Sequence, residues 1–166
     1  MIFEWIFLVF MLFLTLIFQL TLAPIIEIFG VEPDIVFAAV VAVGSCGGFF
    51  RGSVSGAGVG VIMDIMFLNP GLYSLQYTLT GLCSGLFRAE RTRFFLPVLF
   101  CMPVYAFKEL VFLVVLYLRK VSVSWEGALF NIFIGTIYTA VFVLLITMLL
   151  NRMRKNFGFF DDSDLL

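Results

Sequence analysis

The sequence contains no histidine, only three cysteines and little charge: Asp, Glu, Lys and Arg together make up 13% of its 166 residues. Each shortage excludes something. Without histidine the chain lacks the commonest general base, the commonest metal ligand and the usual switch near neutral pH. Cys46, Cys83 and Cys101 are odd in number and form no Cys-x-x-Cys spacing. Each sits inside an apolar run, so they read as small buried apolar residues, not as a disulfide or metal framework. The charge deficit excludes most. A soluble domain is about half apolar and about a quarter charged, whereas this chain is 63% hydrophobic with a mean hydropathy of +1.15. It cannot cover a water-facing surface, and its composition is equally wrong for a disordered, collagenous or low-complexity chain. Ten basic against eleven acidic residues give a net charge of −1, which supplies no electrostatic reason to bind nucleic acid.

What is present is apolar length. The 22 phenylalanines suit helices that face lipid. About 20 apolar residues span the hydrocarbon core, and the runs predict six spans at about 2–22, 35–50, 54–68, 72–87, 94–118 and 129–150. They are too long and too uniformly apolar for barrel strands. No basic residue precedes the first run and no small-residue cleavage site ends it, so it reads as a span and not as a removable signal. The fold expected is therefore an all-α integral membrane protein. A single six-transmembrane-helix bundle would cover 1–156, and 157–166 would form a short acidic tail.

The short loops orient it. With six spans, one side collects Arg51, Arg88, Arg91, Arg93, Arg152, Arg154 and Lys155, and the other only Arg119 and Lys120. Basic loops stay inside, so both termini are expected in the cytoplasm. The loop 23–34 is acidic through Glu27, Glu32 and Asp34 and is expected outside. Trp5, Tyr117 and Trp125 fall at expected interfaces. The basic cytoplasmic residues would set topology and attract anionic lipid.

Two features of the middle could carry function. The first is glycine at a stride of four: Gly52, Gly56 and Gly60 leading to Asp64, then Gly81 and Gly85, with Gly44, Gly47 and Gly48 ending the second run. Gly127, Asn131, Gly135 and Thr139 repeat the stride near the end. Small residues so spaced lie along one helix face and let a second backbone approach. That second helix could belong to the same bundle or to a partner. The other feature is charge within the runs: Asp64, Lys108 and Glu109. Charges at that depth are costly and usually face the interior in pairs. Asp64 and Lys108 are expected to face each other, directly or through water, while Glu109, about 100° around the helix, serves another contact. Pro97 and Pro103 should bend the fifth span, bringing Pro103, Tyr105 and Lys108 to line one region.

Several stretches together resemble the rod shape-determining protein MreD family. They are Gln19-Leu20-Thr21-Leu22-Ala23-Pro24, Gly30-Val31-Glu32-Pro33-Asp34, Arg51-Gly52 with the glycine series to Asp64, Asn69-Pro70-Gly71-Leu72, and Tyr77 to Gly85 before a basic loop. The resemblance covers about residues 15–93, with a weaker echo beyond. The turn Leu68-Asn69-Pro70-Gly71-Leu72 departs from the small-residue Leu-Gly turn common in the family. The resemblance implies a non-catalytic scaffold of the bacterial cell-elongation complex, in the cytoplasmic membrane. Such a scaffold binds MreC and connects with MreB, RodA and the elongation penicillin-binding transpeptidase, supporting cell shape and lateral peptidoglycan synthesis. No cofactor is implied. It also implies a fold similar to the substrate-binding subunits of energy-coupling-factor transporters. Such a vitamin-binding subunit is the alternative function, although the first span lacks that family's Ala-xxx-Ala spacing and has its only alanine at Ala23. A membrane enzyme is a third class, poorly served by a chain with so few interior polar groups.

Overall fold

The computed structural model describes residues 2–69, 71–86, 95–121 and 124–157. They form five helices: α1 (Ile2–Thr21), α2 (Ile35–Phe67), α3 (Leu72–Leu86), α4 (Phe95–Leu118) and α5 (Trp125–Phe157). No β-strand occurs among the described residues; one isolated bridge joins Ile28 and Val31. Four of the helices, α1, α2, α4 and α5, are long and apolar enough to cross a membrane.

Chemistry at the helix ends fixes the boundaries. Asp34 caps α2, its carboxylate accepting the Phe37 amide at 2.7 Å, as an acidic residue before an apolar run should. Leu68 closes α2 in the left-handed conformation at φ 53°, and its exposed side chain is followed by the Asn69-Pro70-Gly71 stop. Lys120 plays the same terminal part after α4, at φ 58°.

Helix α2 does not run straight. At Gly48 the backbone adopts φ 85°, ψ 174°, a region open essentially to glycine alone. There the chain folds back on itself. A methyl group placed on Gly52 would lie 2.7 Å from the Cα of Gly44, so the two limbs touch backbone to backbone. The reversal thus comes three residues before Arg51-Gly52, where a loop at 51–53 was expected. Arg51 lies instead in the helix, buried, with its guanidinium 3.0 Å from Glu4 of α1.

Helix α3 seals the hairpin. Its glycines and those of the second limb of α2 interlock in antiparallel register. Gly60 meets Tyr73 and Ser74, Gly56 meets Tyr77, Gly52 meets Gly81, and Gly85 meets Gly48 and Phe49. At each of these glycines a side chain would strike backbone atoms. The stride-of-four glycines at 52, 56, 60, 81 and 85 are therefore filled by the chain's own helices, and no open groove remains there for a partner. Gly58, on the other side of α2, has nothing within 4 Å of an added methyl group.

Around this inner unit stand α1, α4 and α5, and α2 touches every other helix. Its first limb, from Ile35 to Cys46, is buried throughout and forms the centre of the core with Leu8, Leu12 and Leu16 of α1 and Val143 and Leu150 of α5. The outer helices turn Phe10, Phe13, Phe107, Phe130 and Phe133 outward, as lipid-facing surfaces should. The start of α1, through Glu4 and Arg51, and the end of α5, where Arg154 donates to the Cys46 carbonyl at 3.4 Å, both lie at the Gly48 end. The opposite end holds Asp34, Asp64 and the α2–α3 turn.

Candidate functional site

One cluster of polar groups, drawn from every helix of the bundle, lies at the Asp34 end. Asp34 was expected in an exposed acidic loop, but it is buried and holds four helices. Its carboxylate caps α2, accepts the Lys108 ammonium of α4 at 2.5 Å and accepts the Tyr77 hydroxyl of α3 at 3.1 Å. Its own amide donates to Thr139 Oγ1 of α5 at 3.1 Å. Gln19 fastens α1 to the same point, donating to the Pro33 carbonyl at 3.2 Å and accepting the Ile35 amide at 2.7 Å. A cap signature, Pro33-Asp34 directly before an apolar run, was present in the sequence and could have found this residue.

Lys108 does not reach outward. It is buried, with Glu109 as its second carboxylate at 3.0 Å. The ammonium also lies 4.9 Å from the Tyr105 ring, 5.6 Å from Tyr77 and 5.7 Å from Phe37. Aromatic faces attract a cation at these distances, so the charge is enclosed by two carboxylates and three rings. The side chains of Lys108 and Glu109 converge on one ion pair although adjacent residues diverge around a helix, because both can bend toward the same space.

Asp64 is not part of that group. It stays beside the α2–α3 turn, where its carboxylate accepts the amides of Tyr73 at 2.8 Å and Ser74 at 2.9 Å, and the Ser74 hydroxyl. These amides belong to the first turn of α3, whose donors have no partner within the helix. The expected Asp64–Lys108 pair is therefore replaced by two separate arrangements: a cap on α3, and an Asp34–Lys108–Glu109 lock. The helix start is the better partner for Asp64 because it lies only one tight turn away in the chain.

Two adjoining cavities open beside the lock. The inner, about 180 Å³, is lined by Asp34, Lys108, Glu109, Gln76, Tyr73 and Phe112 among others. The outer, about 570 Å³, shares Glu32, Tyr105, Glu109 and Phe112 with it and extends to Gly127 and Asn131 of α5. Gly135, on the same face of α5, leaves room for the Tyr105 hydroxyl, which would lie 3.0 Å from an added methyl group. The Gly127–Asn131–Gly135–Thr139 face thus looks onto this end of the bundle.

The remaining expected residues lie elsewhere. Helix α4 continues through Pro103. That proline lines a separate apolar cavity of about 140 Å³ with Cys83 and Cys101, and not the region of Tyr105 and Lys108. No disulfide joins Cys46, Cys83 and Cys101. Arg152 is exposed near the end of α5, with Arg154 and Lys155 following it in the helix. Arg88, Arg91 and Arg93, and the tail from 158 onward, lie outside the described residues.

A helical bundle with an outward apolar belt and four helices long and apolar enough to span a bilayer has the build of a membrane protein. Beyond that class, no family model, curated protein or solved structure matches the chain.

Proposed function

We propose that the chain is an MreD-like, non-catalytic scaffold in the bacterial cytoplasmic membrane, crossing six times. The two limbs of α2 count as separate crossings and both termini are cytoplasmic. The Asp34 end then faces outward. MreC is the expected partner, with MreB, RodA and the elongation transpeptidase reached through it. In this reading the buried polar groups serve architecture, since the motifs that suggested the family, Glu32-Pro33-Asp34 and the glycine series to Asp64, tie helices together. Recognition is left to the surface.

One surface feature carries the reading. Between α1 and α2 the chain makes a tight turn in which Ile28 and Val31 exchange both backbone hydrogen bonds, at 3.0 and 3.1 Å. Its two central residues are Phe29 and Gly30, at φ 55° and 79°. Such turns favour Asn-Gly or Gly-Gly, and an aromatic residue at positive φ is strained. Phe29 is nevertheless 80% exposed, beside an exposed Ile25. A strained backbone that holds an apolar ring outward supports a contact at this turn.

Phe29→Asn separates function from stability. Asparagine relieves the turn, so the variant should fold at least as well as the parent by thermal melting in detergent. Recovery of MreC by affinity purification from native membranes should fall at least tenfold. Undiminished recovery with an equally stable protein would refute the reading.

A further inference from the structure

Gln76 is 6% exposed, and its side-chain carbonyl has no hydrogen-bond partner. The orientation of this amide is fixed. Its nitrogen donates to the Lys108 backbone carbonyl at 3.2 Å, and a flipped amide would set oxygen against oxygen. The free acceptor belongs to a side chain that lines the inner cavity. A buried acceptor without a donor is costly, so what lies in this cavity should bring an N–H or O–H.

The charge of the walls selects further. The two cavities are lined by three carboxylates, Asp34, Glu32 and Glu109, against one ammonium, Lys108. Lys108 is shared between Asp34 at 2.5 Å and Glu109 at 3.0 Å, so one positive charge meets the three carboxylates and the walls stay negative overall. The aromatic side chains of Tyr73 and Phe112 complete the inner wall. A buried acceptor, surplus carboxylates and aromatic faces are the complement of a cation that carries N–H donors. At about 180 Å³ the chamber is smaller than the roughly 300–1,000 Å³ that drug-sized ligands occupy.

We infer that the paired cavities at the Asp34 end bind a small organic cation bearing N–H donors, an amine or guanidine. Its charged head sits in the inner chamber against Gln76 and Glu109. The remainder extends into the outer chamber. The site goes beyond the scaffold reading and does not depend on it, because amine binding and MreC recovery are separate measurements.

The test uses the full chain in nanodiscs, with agmatine and 1,4-diaminobutane as probes and 1,4-butanediol and succinate as neutral and anionic controls. Thermal melting and titration calorimetry are the readouts. At least one of the two cationic probes should bind saturably in the millimolar range or tighter, and the controls should not. Gln76→Leu removes the unpaired acceptor, so its unliganded melting temperature should hold or rise while amine affinity drops about tenfold or more. Glu109→Gln, which leaves Lys108 its Asp34 partner, should weaken amine binding similarly and serves if Gln76→Leu folds poorly. Absence of saturable amine binding to the parent would overturn the site. So would equal binding of the controls, or unchanged affinity in a folded variant.

Discussion

Helices α2 and α3 and the three helices around them are assembled by opposite means. In the inner unit the contact is backbone on backbone, made possible by glycines that contribute no side chain. In the outer ring, α1 and α5 meet α2 through bulky side chains such as Leu8, Leu12, Val143 and Leu150. Apolar bulk gives little preference for protein over lipid, because lipid tails are equally apolar. Close approach does give a preference, since it brings many atoms into contact and excludes lipid from the seam. The glycine unit is thus the part of the fold that the bilayer cannot imitate. The outer helices need something more to hold them, and polar anchors supply it: Glu4–Arg51 for α1, Lys108–Asp34 for α4 and Thr139–Asp34 for α5.

The sharpest way to break this contrast is to put bulk on each side of the same helix. Gly56→Leu would drive a side chain into the backbone of Tyr77, and backbone cannot move aside cheaply. Folding should fail, read as loss of the monodisperse peak after detergent extraction. Gly58→Leu, two residues away, meets open space. It should extract and melt like the parent, helped slightly by better helix propensity. Equal damage from both substitutions would mean that the inner unit is not held by glycine contact.

The next effect concerns an outer helix and its anchor. Lys108→Met leaves Asp34 buried beside apolar walls, and breaking a buried pair costs about 3–5 kcal/mol. Asp34→Asn alone leaves the ammonium with Glu109 as its one carboxylate, while the α2 cap is kept because asparagine caps about as well as aspartate. The double variant removes both charges and should recover much of the loss, seen as a non-additive cycle in denaturant titrations in detergent. Simple additivity would show that the two residues do not act as a pair.

The comparison also explains what the sequence made legible. The glycines at 52, 56, 60, 81 and 85 fall on backbone contacts between helices, whereas Gly127 and Gly135 meet only side chains; a period of four on one face survives whatever the partner is. It did not say which helix arrives. That depended on the reversal at Gly48, and several glycines in 44–52 could have made it. The charges were harder. Lys108 is buried, whereas Asp64 is only half-buried at the α2–α3 turn; a charge within an apolar run announces only the need for a partner. Asp34 was hidden by its neighbours Glu27 and Glu32, which are exposed and made the loop look uniformly acidic. Its capping position was the readable clue. The unpaired acceptor of Gln76 had no signature, since glutamine in an apolar helix looks the same whether or not its oxygen finds a donor.

The smallest expected effect runs the other way and tests whether outer helices are limited by polarity more than by packing. On the buried face of α5, Thr147 Oγ1 and both amide atoms of Asn151 have no hydrogen-bond partner. The two residues are four apart and share one face. Each unpaired group costs part of what apolar burial along α5 contributes. Thr147→Val keeps the shape and deletes the hydroxyl, so it should raise stability by about 1 kcal/mol. Asn151→Leu keeps the branched shape with bulkier methyl groups and should add a similar amount if the pocket around it is dry and has room for them. If ordered water already satisfies these groups, both substitutions would be neutral or destabilising, and hydrogen exchange near 147–151 would be faster than in the flanking turns. A gain in melting temperature from both would show that α5 is held below its packing limit by these unpaired groups.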